Sequence, residues 1–315
     1  MHRLIKRTDT SSIQAKGVDL TSKPLSFIGS PHGSQHIRAE MEAFSLKRLL
    51  PYIDDIGDLA TKDIDIISQS LIEYAEAHHP LLMFMPLGSI SQLPSDFWSS
   101  FHRPVHVSSR VLTDHPEVAH LGIQRHYQDE SWAYDSHKHL RISTMRQDPE
   151  HAEVILRTAD CVVMKLDVLR LSDNLGSTTS GSAGLTIEEM CMVAKYAGAS
   201  TKLKIILIEG YDQNTDTHGI LAKNAALLAY YALDGYEIRT RELSQKEQLQ
   251  RYSVMPEHIS QELVFVEDQR SNRWWIELYS GAAEEVVNMP CTRRDYEDAC
   301  QNIISDRLTT LMTST

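Results

Sequence analysis

The sequence predicts an α/β fold built on a mostly parallel sheet with helices on both faces. A short, continuous apolar run at Leu81–Leu87 and largely apolar stretches at Cys161–Val168 and Lys204–Gly210 recur along the chain. Strands buried on both faces read this way. Segments with helical spacing lie between these runs, and strand alternating with helix calls for parallel pairing.

Length and charge narrow the function. The 315 residues suffice for one large core or two ordinary ones, and 31 Lys and Arg against 43 Asp and Glu leave a net charge of −12. Non-specific nucleic-acid binding needs a basic face, so no nucleic-acid partner is expected. No apolar run approaches the ~20 residues that cross a bilayer. The basic start Met1–Arg7 runs into Thr, Asp and Ser rather than an apolar signal core, so no membrane association and a cytoplasmic location are expected. Cys161, Cys191, Cys291 and Cys300 contain no CxxC pair and read as reduced, mostly buried thiols.

Residues 1–37 read as an irregular N-terminal arm holding one candidate strand, Leu25–Ile28. Residues 38–315 read as a single domain that includes a C-terminal appendage at 255–315. Helical spacing fits Glu40–Leu50, stopped by Pro51, and then Asp63–His78, with Ile64, Ile67 and Leu71 on one face. After Leu81–Leu87 come candidate strands Pro104–Ser108 and Val118–Ile123, a polar stretch at 128–149 expected to be surface loop, and a helix over Glu150–Thr158. The strand Cys161–Val168 carries Asp167 at its carboxyl end, where open α/β sheets place their chemistry. Helices fit Thr186–Tyr196 and Gly219–Leu233, the second with Gly235 as its expected C-terminal cap. The tail reads as a hairpin of Glu262–Glu267 and Arg273–Leu278, followed by a helix over Arg293–Leu308.

Three further features bear on binding. The Ser/Gly loop Ser177–Gly184 precedes a helix start, so it either holds an anion on its amides or is a flexible connection; it has no P-loop lysine. His115, His120, His126, His137 and His139 are scattered and read as solvated or hydrogen-bonding residues. Alternation puts Trp274 and Trp275 on opposite faces of a strand, one for the core and one for a groove or subunit contact.

Six segments together resemble a known family: Tyr52–Leu59, Ala152–Asp160, Lys195–Ser200, Arg273–Trp275, Pro290–Cys291 and Asp295–Cys300. Over roughly residues 45 to 308 the chain resembles the ureohydrolases (arginase, agmatinase, formimidoylglutamase), particularly the divergent formimidoylglutamase-like branch found in Bacteroidetes. The resemblance implies a three-layer αβα, arginase-like fold, with the hairpin and last helix appended. It also implies two Mn²⁺ ions at the carboxyl ends of the strands, activating water against a guanidino or formimino carbon. Paired hard cations need several oxygen and nitrogen ligands.

The six ligand positions implied by that resemblance are occupied by Ile90, Ser108, Arg110, Leu112, Asp167 and Leu169. One ligand, Asp167, survives. Glu209 matches the acidic residue that orients the substrate's guanidino group, so Asp167 and Glu209 are vestigial. His106, Asp167 and Asp173 are the only weak candidates for a replacement metal site, and no cofactor is expected. Arg110, permanently charged, either stands in for the cations by bonding Asp167 or Glu209 or is an ordinary exposed loop arginine. The reading is a non-catalytic ureohydrolase-fold protein with a binding, scaffolding or regulatory role and an unknown protein or small-molecule partner. The alternative is an active, manganese-dependent amidine hydrolase with a rearranged site. The family's habit of forming trimers or hexamers leaves a homo-oligomer open.

Overall fold

The computed structural model describes residues 5–6, 25–29, 34–45, 48–49, 52–77, 80–129, 138–177, 179–244, 249–257, 259, 261–269, 271–280, 285–305, 308–309 and 312. The chain divides into two compact units, residues 1–240 and 241–315. The sequence reading had expected one domain with an appendage from 255.

The first unit is organised on a nine-stranded sheet among the described residues. In chain order its strands are β1 (Ile5–Lys6), β2 (Leu25–Gly29), β3 (Ile53–Leu59), β4 (Leu81–Met85), β5 (Pro104–Val107), β6 (Ala119–Ile123), β7 (His139–Arg141), β8 (Cys161–Lys165) and β9 (Ile205–Glu209). Their spatial order is β1-β3-β2-β4-β9-β8-β5-β6-β7. Only β1 runs antiparallel to its neighbour; the other pairs are parallel. The strand β2 matches the candidate strand Leu25–Ile28 of the N-terminal arm, and its residues are buried throughout.

Alternation along the strands produces the layers. Leu82, Phe84, Val162, Met164, Ile206 and Ile208 face one helical layer, drawn from α1 (Gln35–Glu42), α5 (Pro149–Leu156), α6 (Ile187–Gly198) and α7 (Ile220–Ser244). Leu81, Met83, Cys161, Val163, Ile205 and Leu207 face the other, built from α2 (Ile64–Ala77) and α3 (Ser95–Ser99). The fold is therefore the three-layer αβα arrangement that was expected. No described helix is long and apolar enough to cross a membrane.

Several boundaries differ from the sequence reading. The first helix covers Gln35–Glu42 rather than Glu40–Leu50, because the apolar stripe that docks is Ile37 and Met41. The stretch expected as loop at 128–149 contains β7 and α4 (Ile142–Gln147), pinned by buried Leu140 and Met145. Gly235 does not end a helix, since α7 runs on to Ser244. A Cβ there would stand 1.9 Å from the Lys195 carbonyl oxygen, and one at Gly198 would stand 1.9 Å from that of Ala232. These glycines let α6 and α7 approach backbone to backbone.

The second unit contains an antiparallel four-stranded sheet: β10 (Leu249–Val254), β11 (Leu263–Asp268), β12 (Arg273–Ser280) and β13 (Glu285–Cys291). The expected hairpin is its central pair, and its outer strands were not anticipated. The final helix, α8 (Arg293–Cys300), is shorter than expected. Trp274 is the core-facing tryptophan, stacked against Tyr252 and Tyr296 at centroid distances of 5.3 and 5.0 Å, the two tyrosines themselves 5.1 Å apart. Trp275 is half-buried.

Candidate functional site

The parallel order brings the carboxyl ends of β4, β9, β8 and β5 side by side. Lys165, the last residue of β8, is the register partner of Glu209, the last residue of β9, and Glu209 is in turn opposite Met85 of β4. Asp167 follows in a 3₁₀ turn over Leu166–Val168, and Ser108 follows β5. These ends line a cavity of about 130 Å³ walled by Leu87, Gly88, Lys165, Asp167, Thr179 and Glu209.

Three charges meet there. The Lys165 ammonium nitrogen stands 3.5 Å from Glu209 Oε1 and 3.9 Å from Asp167 Oδ2. Glu209 is buried, and its Oε2 accepts hydrogen bonds from the Ile90 amide at 2.6 Å and the Ser89 hydroxyl at 3.4 Å. The Ser108 hydroxyl donates to Asp167 at 3.3 Å. Burial pushes the Asp167 carboxyl above its ordinary range; Lys165 and Ser108 oppose that rise, and Glu209 adds to it. Charge near such a carboxylate must be compensated for it to stay ionised.

Lys165, not Arg110, supplies the compensating charge. Arg110 is exposed, its guanidinium 5.0 Å above the Tyr127 ring, so the bond to Asp167 or Glu209 is not made. The strand before Asp167 carried the missed signal: Cys161–Lys165 is apolar except for its final lysine, which by alternation shares a strand face with Cys161 and Val163 and stands opposite Glu209.

The other expected residues take structural roles. Ile90 is buried among apolar residues and contributes its amide to Glu209. Leu169 is buried in the core, and the Leu112 amide donates to His120 Nε2 at 2.9 Å. Asp173 accepts from Arg170 at 2.6 Å and from the Ile187 amide at 3.0 Å, so it caps the start of α6. Burial raises the Asp173 pKa, but these donors outweigh it and hold the group below its ordinary value.

His106 is buried, with neither ring nitrogen hydrogen-bonded, and packs edgewise against Trp98 and His120. His120 and His139 are its successive register neighbours across β6 and β7. His120 is therefore buried and hydrogen-bonded, the second of its two expected readings. His137 lies outside the described residues. Among the described residues no three His, Cys, Asp or Glu side chains converge to hold a metal ion. An ammonium between two carboxylates does not suit a pair of cations, so the donor set present does not fit the manganese centre that the resemblance implies. None of the four cysteines forms a disulfide among the described residues; Cys161, Cys191 and Cys291 are buried and Cys300 is exposed.

No family profile and no curated protein matches the sequence, whereas solved structures do match the fold. The formimidoylglutamase of Bacillus subtilis subsp. subtilis str. 168 aligns with a TM-score of 0.54 at 18% identity, covering 74% of this chain and 94% of its own. The agmatine ureohydrolase of Thermoplasma volcanium aligns at 0.54 and 14%, covering 75% and 97%. A Trypanosoma cruzi formiminoglutamase, determined with Mn²⁺, aligns at 0.54 and 12%, covering 71% and 96%. The chain has the ureohydrolase fold.

Proposed function

We propose that this chain is a ureohydrolase-fold protein that does not hydrolyse amidines and acts by binding, as a scaffold or a regulator. The observation that carries this reading is the Lys165 ammonium between Glu209 and Asp167, at 3.5 and 3.9 Å. It provides a positive charge where the resemblance implies cations, and it needs no metal to balance the two carboxylates. The replacement of five of six implied ligands by Ile90, Ser108, Arg110, Leu112 and Leu169 supports the same conclusion.

The test is metal analysis of purified protein equilibrated with Mn²⁺, together with assays for urea and formamide release from arginine, agmatine and formiminoglutamate. The expected result is no stoichiometric manganese and no turnover. Stoichiometric manganese with turnover abolished in Asp167→Ala would overturn the proposal and establish a metal-dependent amidine hydrolase with a rearranged site.

A further inference from the structure

A second cavity opens at the carboxyl edge of the sheet, beyond β6 and β7, with a volume of about 460 Å³. That is within the usual size of small-ligand pockets. Its walls carry Arg125, Arg141, Arg146 and Arg170, and no Asp or Glu lines it among the described residues. Four guanidinium groups in one concavity of a chain with net charge −12 cannot be put down to a generally basic surface. The cavity shares no lining residue with the one around Asp167.

The arginines are positioned from several directions. Arg141 closes β7, and Arg125 follows β6 and donates to the Asp129 carbonyl at 3.4 Å. Arg146, on α4, bonds Glu189 at 2.7 Å and the Gly184 carbonyl at 2.8 Å. Arg170 bonds Asp173 at 2.6 Å. Arg146 and Arg170 are thus each paired with a carboxylate, while Arg125 has no carboxylate partner among the described residues.

Gln124 also lines the cavity, but its carboxamide oxygen and nitrogen are closed off from solvent, so that amide faces the protein interior rather than the cavity. The Ser/Gly loop contributes Ser182 and Gly184 to the wall. That loop is closely built: a Cβ at Gly184 would lie 2.4 Å from the Arg170 amide nitrogen, so the backbone passes where only glycine fits.

We propose that this cavity binds a small organic or inorganic polyanion through carboxylate or phosphate oxygens. Guanidinium groups pair with either group through charge-assisted hydrogen bonds.

Isothermal titration calorimetry with citrate and with pyrophosphate, against sodium chloride at matched ionic strength, tests this on the full chain. Saturable binding of either probe is expected, and the tighter one identifies the preferred chemistry. Arg125→Gln, at an exposed position that the fold does not depend on, and Arg141→Gln should each weaken binding about tenfold, the loss of one charge-assisted contact. Arg110→Gln removes the same charge outside the cavity and should change affinity less than about twofold. Absence of saturable binding by both probes, or an equal loss in Arg110→Gln, would overturn the proposal.

Discussion

Lys165 and Glu209 end adjacent parallel strands in register, with the ammonium nitrogen 3.5 Å from the carboxylate. In a dimetal hydrolase these strand ends would neutralise their carboxylates with cations. Here a side chain from the strand itself does part of this, and the Asp167 carboxyl still stands above its ordinary range.

Removing that ammonium should therefore be worse than removing a carboxylate with it. Lys165→Ala leaves two negative groups together in a confined site and should destabilise the protein by about 2–3 kcal/mol, near the lower end for breaking a buried pair because Lys165 keeps some solvent contact. Adding Asp167→Asn to Lys165→Ala should restore part of that loss. Urea denaturation at pH 7 measures both; a Lys165→Ala effect below about 0.5 kcal/mol, the size of an ordinary surface change, would remove Lys165 from its assigned role.

Much of the first unit was legible because its strands are continuous apolar runs. Burial on both faces leaves that signature directly in residues such as Leu81–Met85 and Ile205–Ile208. The outer strands of the second unit were not legible: β10 is largely exposed, and only Tyr252 and Val254 on it pack against the core. At the site, Asp167 and Glu209 stood out as carboxylates ending apolar strands. Their partner did not, because pairing Lys165 with Glu209 depends on which strands are neighbours, and β8 and β9 are separated in sequence by α6. The two readings of Arg110 could not be separated for the same reason. Its position after β5 was evident, but its rotation towards Tyr127 was not.

Arg110→Ala should consequently have little effect. Its guanidinium rests on the Tyr127 ring at an exposed site, an interaction of about 0.5–1 kcal/mol. Denaturation of this variant should show a loss no larger than that. A loss of several kcal/mol would mean that Arg110 carries charge compensation after all.

The buried histidines make stability sensitive to acid. Burial, with smaller contributions from His139 and His115, pushes the His120 pKa down to about 3; burial, with His120 and Lys165, holds His106 well below its ordinary 6.5. The unfolded chain therefore binds protons that the folded chain refuses, so stability is full above pH 6.5 and falls as the pH drops towards the folded values. Each group contributes a slope of about 1.4 kcal/mol per pH unit in that window. Asp167, raised above 3.8, acts oppositely between 3.8 and its folded value, but it is one group against two. Urea midpoints at pH 7.5, 6 and 5 should fall, and His106→Phe, which removes one titrating ring while keeping an aromatic against Trp98, should roughly halve the slope. An unchanged slope in that variant would exclude His106 as a source.

Gly235 sets two opposing effects against each other. Within a helix, replacing Gly by Ala gains about 1 kcal/mol of propensity, and α7 is helical on both sides of this residue. The added methyl would nevertheless lie 1.9 Å from the Lys195 carbonyl oxygen and 2.9 Å from the Ala199 amide nitrogen. Both obstacles are backbone atoms of α6, so no side-chain rotation relieves them and the helices must separate. Overpacking of this kind costs about 1–3 kcal/mol and more where the backbone is the obstacle, so the net effect of Gly235→Ala should be destabilising by at least about 1 kcal/mol. Thermal denaturation decides the sign. A stabilised Gly235→Ala would mean that α6 and α7 stand further apart than their glycines allow.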